Sequence, residues 1–181
     1  MVTLRPYEHA DAVQQHAAAL ESVAQMYPWM PWCTPAHTVE SSKTWIQAQI
    51  EARIRGEVYE FAIVGDDGAY LGGCGLNQID PANRRANLGY WVRTSAMGRG
   101  VAPEAVRQLA AFAFRETALL RLEILIAVGN ERSERVAAKV GAHREGVLRS
   151  RLVLFDQIHD AVMYSLVRSD WPPRLMEGTS G

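Results

Sequence analysis

An α/β chain of the α+β kind, with a mixed, mostly antiparallel sheet of about seven strands flanked by about four helices, is predicted by three features of the sequence. The apolar period is 3.6 over two early segments, changes to 2 between Tyr59 and Val92, and returns to 3.6 after Gly100. A hairpin turn signal, Asp66-Asp67-Gly68, joins two of the alternating segments. A Gly-x-Gly junction then leads from a strand into a helix and on to an apolar strand, the order of a right-handed βαβ crossover.

Taken in order, Val2 to Tyr7 alternates apolar and polar side chains and feeds a helix from about Ala10 to Met26 through an acidic first turn. Tyr27-Pro28-Trp29-Met30-Pro31-Trp32 breaks that helix with two prolines. A second helix, Val39 to Arg55, carries Trp45, Ile46, Ile50 and Ile54 on one stripe and stops at Gly56. Strands are predicted at Tyr59 to Val64, Tyr70 to Leu76 and, after the turn Asp80-Pro81-Ala82-Asn83, at Asn87 to Val92. The helix after Gly100 presents Ala102, Ala105, Val106, Leu109, Ala110 and Ala113 to a core and ends near Thr117. Leu122 to Val128 suits a strand covered on both faces. A last helix, Glu131 to Val140, precedes strands at Arg144 to Leu154 and Ala161 to Val167. Residues 1–170 read as one domain, and 171–181 as a frayed tail.

Composition narrows the function classes. The 181 residues, 48% of them apolar, suffice for one core. Nineteen basic and twenty acidic side chains leave a charge of −1, so no bulk field draws the chain to nucleic acid or a membrane surface. The start lacks the apolar core of a signal peptide and no apolar run approaches a membrane span, which gives a cytoplasmic expectation. Cys33 and Cys74 are too few for a disulfide framework, and the five histidines are scattered, so no metal site is expected.

The chemistry concentrates at Ser95-Ala96-Met97-Gly98-Arg99-Gly100-Val101-Ala102-Pro103. Glycines let the backbone approach a ligand, and the first N–H groups of the following helix lack intrahelical acceptors. With the positive end of the helix dipole they form an anion site suited to a pyrophosphate. No Lys-Ser or Lys-Thr follows the glycines, which disfavours a P-loop, and Pro103 stands where a dinucleotide fingerprint needs a third small residue. A turn that only reverses the chain remains the alternative. A second segment, Asn130-Glu131-Arg132-Ser133, ends the apolar strand and opens a helix closed by Gly141, positions that helix capping would also explain.

In their order and spacing these segments resemble the GNAT superfamily of N-acetyltransferases, and within it the RimJ/RimL-type branch. The resemblance rests on Leu4-Arg5-Pro6, Asn77-Gln78-Ile79-Asp80-Pro81, Leu88-Gly89-Tyr90-Trp91-Val92, Gly98-x-Gly100-x-Ala102, Asn130-x-x-Ser133, Gly141, Glu145-Gly146, and Asp160 before Tyr164. It implies a sheet splayed between Leu88–Val92 and Leu122–Val128, with acetyl-CoA in the gap. Tyr90, Trp91 and Val92 would line the pantetheine arm, Gly98, Arg99, Gly100, Val101 and Ala102 would hold the pyrophosphate, and Asn130 and Ser133 would meet the pantetheine and the thioester. The acceptor would be an amine, as in relatives that acetylate ribosomal-protein N-termini, and a homodimer is a common assembly.

Direct attack of the amine on the thioester is the implied reaction, with Ser133 as donor to the leaving thiolate. A general base is harder to name. Relatives carry Glu where Asn87 or Leu152 stands here, so a water held by Asn77 or Asp80 is the expected substitute, with His159 a weaker candidate. The usual Gln or Arg opening the phosphate motif is Ser95, which Arg93 or Arg99 could offset; Arg132 and Lys139 could approach the 3′-phosphate. Trp29 and Trp32 are expected at the acceptor pocket. Small-molecule amine acetylation and non-catalytic acyl-CoA sensing stay open at the level of sequence.

Overall fold

The computed structural model describes residues 1–172, so the expected tail lies outside the described residues from 173 onward. Trp171, placed by the sequence in that tail, packs on Phe114 with ring centroids 5.9 Å apart. Seven strands form one sheet: β1 (Val2–Pro6), β2 (Tyr59–Gly65), β3 (Tyr70–Asp80), β4 (Arg85–Val92), β5 (Arg121–Ala127), β6 (His143–Leu154) and β7 (Gln157–Val167). Their order is β1-β2-β3-β4-β5-β7-β6, antiparallel throughout except for β4 and β5. Helices α1 (Ala12–Met26) and α2 (Val39–Ile54) cover one face; α3 (Val101–Glu116) and α4 (Glu131–Lys139) cover the other.

The parallel pairing is short. β4 and β5 meet only at Arg85↔Arg121, Ala86↔Leu122 and Asn87↔Glu123, whereas β3 follows β4 to Val92 and β7 follows β5 to Ala127. Beyond Asn87 the two halves of the sheet therefore diverge, and the β4 edge from Leu88 to Val92 has no strand partner on that side. This is the splay that the resemblance implied.

α3 anchors the larger core. Ala105, Val106, Leu109, Ala110 and Ala113 are fully buried against Leu76, Leu88 and Leu122 of the sheet. The small residues let the helix axis lie close to the strands, and Leu109 fills the space between them. β5 departs from its expected two-sided burial: Leu122, Ile124 and Ile126 are buried, while Arg121 and Glu123 pair with each other at 2.8 Å. Arg121 also reaches Glu145 at 2.6 Å, which places β5's polar side against its neighbours instead of a second core. The α2 stripe is likewise narrower than its periodicity predicts, because the helix rests on α1 through Ile46 and leaves Ile54 81% exposed.

Chain entry into the helical face is set by local polar contacts. Asp11 accepts from the Glu8 amide at 2.8 Å and holds Arg5 through both carboxylate oxygens, closing the turn before α1. Thr38 and Ser41 exchange side-chain to backbone bonds at 3.1 and 2.9 Å, a capping box that starts α2.

Candidate active site

The segment between β4 and α3 turns twice through left-handed backbone, at Gly98 (φ 75°) and Gly100 (φ 79°). A Cβ on either would meet nothing within 4 Å, so glycine is required there by conformation and not by space. α1 fixes the stretch before these glycines. Ser22 Oγ accepts from the Thr94 amide at 3.0 Å, Glu21 accepts from the Ser95 amide at 2.6 Å, and Arg93 pairs with Glu21. These contacts hold the Glu21 carboxyl well below its usual range, at about 2, with the Arg93 hydrogen bond the leading cause. Arg93 is thus committed to α1, while Arg99 is exposed between the two glycines and is not among the residues lining the cleft.

The splay holds a cavity of about 650 Å³. Gly98, Gly100, Val101 and Ala102 line one end, Tyr90, Trp91 and Val92 one wall, and Asn130, Ser133 and Val136 the other. Arg132, Arg135 and Lys139 of α4 add a cationic rim. The first-turn N–H groups of α3 and the dipole behind them provide a polyanion site at a concave surface, and the uncovered β4 edge provides backbone groups for an amide-bearing chain.

Across this cleft Tyr90 reaches α4. Its Oη lies 3.0 Å from the Ser133 carbonyl and 2.9 Å from Ser133 Oγ. Ser133 does not cap its own helix: Asn130 Oδ1 accepts from the Ser133 amide at 3.2 Å, leaving the Ser133 hydroxyl in the cleft and the Asn130 NH₂ donors for a ligand. Burial pushes the Tyr90 phenol up to about 12, so it stays protonated as a hydrogen-bond donor.

A second cavity, of about 560 Å³, lies on the α1/α2 face and shares Met30, Tyr90 and Trp91 with the first. Its walls are aromatic. Trp32 stands edge-on to Trp91 at 5.5 Å, and Trp45 to Tyr7 at 5.1 Å. Its floor is β3 thinned to glycine, where Glu60, Gly75 and Gly89 are cross-strand neighbours in one row. The Glu60 carboxylate lies over Gly75, whose Cβ would sit 2.0 Å from Oε2. Asn77 Nδ2 donates to Glu60 Oε1 at 3.3 Å, and Asn87 Nδ2 donates to Asn77 Oδ1 at 2.9 Å.

The structure separates the two expected acceptor tryptophans. Trp32 lines the second cavity, but Trp29 lines the first, with its ring 3.7 Å from a Cβ built on Gly129 at the far side of the splay. Proline-enforced turning between α1 and α2 sends the two rings to opposite sides of Met30. Trp32→Ala should therefore raise the acceptor KM about tenfold with little change for acetyl-CoA, and Trp29→Ala should do the reverse; steady-state kinetics with each substrate varied checks the split.

Of the expected chemical groups, Ser133 and Asn77 reach the cavities and Asp80 does not. Asp80 closes the β3–β4 turn, accepting from Asn83 Nδ2 at 2.7 Å, from the Asn83 amide at 3.0 Å and from Arg85 at 3.3 Å, which together hold its carboxyl low. Leu152 and His159 oppose each other in the β6–β7 ladder and line neither cavity. The carboxylate that does line the acceptor side, Glu60, is one that the alternating pattern of β2 made unremarkable. Its signal was the Gly72-Gly73-Cys74-Gly75 run opposite it, too glycine-rich for a strand that packs on both faces.

A sheet opened between parallel strands, an amide cradle at a helix N-terminus and a second cavity adjoining the first at one strand define a coenzyme A-dependent acyltransferase. The model of the acetyltransferase (GNAT) domain matches residues 1–143, and the chain belongs to that family, with RimJ/RimL-type proteins among its relatives. It is 39% identical over 105 residues to YdaF of Bacillus subtilis (strain 168), an alignment spanning 58% of this chain and 57% of that protein. It is 26% identical over 169 residues to the ribosomal-protein-serine acetyltransferase of Escherichia coli (strain K12), covering 87% of this chain and 94% of that one. The structure of Mycobacterium smegmatis RimJ in complex with CoA-disulfide superposes with a TM-score of 0.87 at 27% identity, over 94% of this chain and 84% of that one.

Proposed function

We propose that the protein transfers acetyl from acetyl-CoA to the α-amine of a protein or peptide N-terminus, with residues 1–170 working as one domain. The observation that carries this reading is the junction of the two cavities at Tyr90 and Trp91, which lets a thioester in the splay meet an amine from the opposite face. The E. coli relative, matched over 94% of its length, is named for acetylating a ribosomal-protein serine, and supports an N-terminal acceptor of that class here.

The cradle amides bind pyrophosphate, the α4 cations face the 3′-phosphate, and the β4 edge with Asn130 orients pantetheine. The amine attacks the thioester carbonyl; an N–H near Val92 stabilises the oxyanion, and Ser133, braced by Tyr90, donates to the departing sulfur. Ser133→Ala should lower kcat about tenfold to a hundredfold and leave both KM values within about threefold, measured by free-thiol release. A cytoplasmic setting fits two free, buried cysteines and, among the described residues, no helix long and apolar enough to cross a membrane. A homodimer, implied by the resemblance, is checked by light scattering.

The test is thiol release from acetyl-CoA with peptides of varied N-terminal residue, followed by mass spectrometric location of the acetyl group. Acetylated α-amines support the reading. Acetylation confined to lysine side chains or to small amines overturns it.

A further inference from the structure

The acceptor cavity contains a negative group and no positive one. Of the residues lining it, Glu60 is the single carboxylate and none is Lys or Arg. Among the described residues Glu60 takes part in no ion pair, and its one side-chain partner is the neutral amide of Asn77. A carboxylate recessed among Trp, Tyr and Gly without a cation is costly to ionise. Gln15, 4% exposed and lining the same cavity, holds a buried Oε1 with no donor. A carboxylate with one neutral donor and an amide oxygen with none, walled by Trp32, Trp45, Trp91 and Tyr7, are the complement of a primary ammonium group, whose N–H donors and charge suit oxygens and aromatic faces alike.

We infer that Glu60 is the base that receives the acceptor's proton, lying over Gly75 and oriented by the Asn87–Asn77 amide relay. This rests on the amine-acetylation reading above. The acceptor enters as an ammonium ion. One proton passes to the Glu60 carboxylate, and the freed amine attacks the thioester carbon. The N–C bond forms, the C–S bond breaks, the second amine proton ends on sulfur as coenzyme A thiol, and Glu60 returns its proton to water. The hydrogen bonds of Asn87 lead by way of Asn77 to this carboxylate two strands away, which fixes its position against the β3 backbone.

Burial pushes the Glu60 carboxyl up to about 7, the range in which a base can both take and release a proton. The groups facing it do not compete for that role. Tyr7 and Cys74 are driven up by burial and stay neutral, and His37, across the cavity on the α1–α2 connection, is lowered by burial and by His16.

The experiment compares wild type, Glu60→Gln and Gly75→Ala with an N-terminal peptide acceptor, measuring kcat/KM against pH and CoA affinity by calorimetry. Wild type should show an acid limb near 7. Glu60→Gln should lose about a hundredfold in kcat/KM, shift the limb to the amine's own value near 8, and keep CoA affinity within about twofold. Gly75→Ala should give a similar loss with Glu60 still present, since its methyl takes the carboxylate's position, and combining the two changes should cost no more than either alone. Turnover by Glu60→Gln within about threefold of wild type, or with an unshifted limb, overturns the assignment alone. Wild type that binds CoA yet acetylates no amine overturns both this and the reading beneath it.

Discussion

Gly100→Val should weaken acetyl-CoA binding about a hundredfold. Gly100 sits at φ 79° and precedes the first turn of α3, a conformation that costs a branched L-residue about 1–2 kcal/mol. The chain can relieve that strain only by rotating the peptide groups that face the splay, which misaims N–H groups whose hydrogen bonds to a charged phosphate are worth about 1.5–3 kcal/mol each. About 3 kcal/mol in total is two decades of affinity. The effect belongs to the cofactor: the second cavity does not include residues 98–102, so the acceptor KM at saturating acetyl-CoA should change by less than about threefold. Calorimetric titration with CoA reads the first quantity and steady-state kinetics the second. A normal CoA affinity in a folded Gly100→Val protein would remove the cradle from the account.

Leu109→Ala is the substitution expected to damage the fold most, by about 3 kcal/mol, lowering Tm by about 6–12 °C. Leu109 is fully buried on α3, and its helical neighbours Ala105, Ala110 and Ala113 already lie against the sheet. Those alanines have only a methyl group, with no rotamer that could swing into the vacated space, so the cavity would persist. Urea denaturation with an unchanged m-value checks the magnitude. A loss below about 1 kcal/mol would mean that α3 can settle onto the strands without it.

The parts of this protein that were legible in its sequence are those whose causes are local. The glycine turns, the α3 face and the Asn130 cap each follow from a few consecutive residues, and so the junction of β4 with α3 could be located to the residue. The acceptor side depends on long-range register. Glu60 lies over Gly75, in one row with Gly89, only because β2, β3 and β4 pair in one alignment, and nothing near position 60 in the chain announces it. Asp80 failed as a candidate for the converse reason: its turn partners, Asn83 and Arg85, are its immediate neighbours and claim it first. Trp29 and Trp32 of the α1–α2 connection, both expected at the acceptor pocket, line different cavities, and which cavity each lines depends on how two prolines fold six residues over a β4 edge that the sequence shows only as a strand end.

Met30, Tyr90 and Trp91 belong to the walls of both cavities. Occupants of the two that press on these common side chains would have reciprocally coupled affinities. Whatever factor bound acetyl-CoA contributes to acceptor affinity by setting those three residues, a bound acceptor must contribute equally to acetyl-CoA affinity. Acceptor selectivity would then depend in part on the cofactor: an acyl chain that displaces Met30 or turns Trp91 would alter which acceptors fit, without touching any residue that lines the second cavity alone.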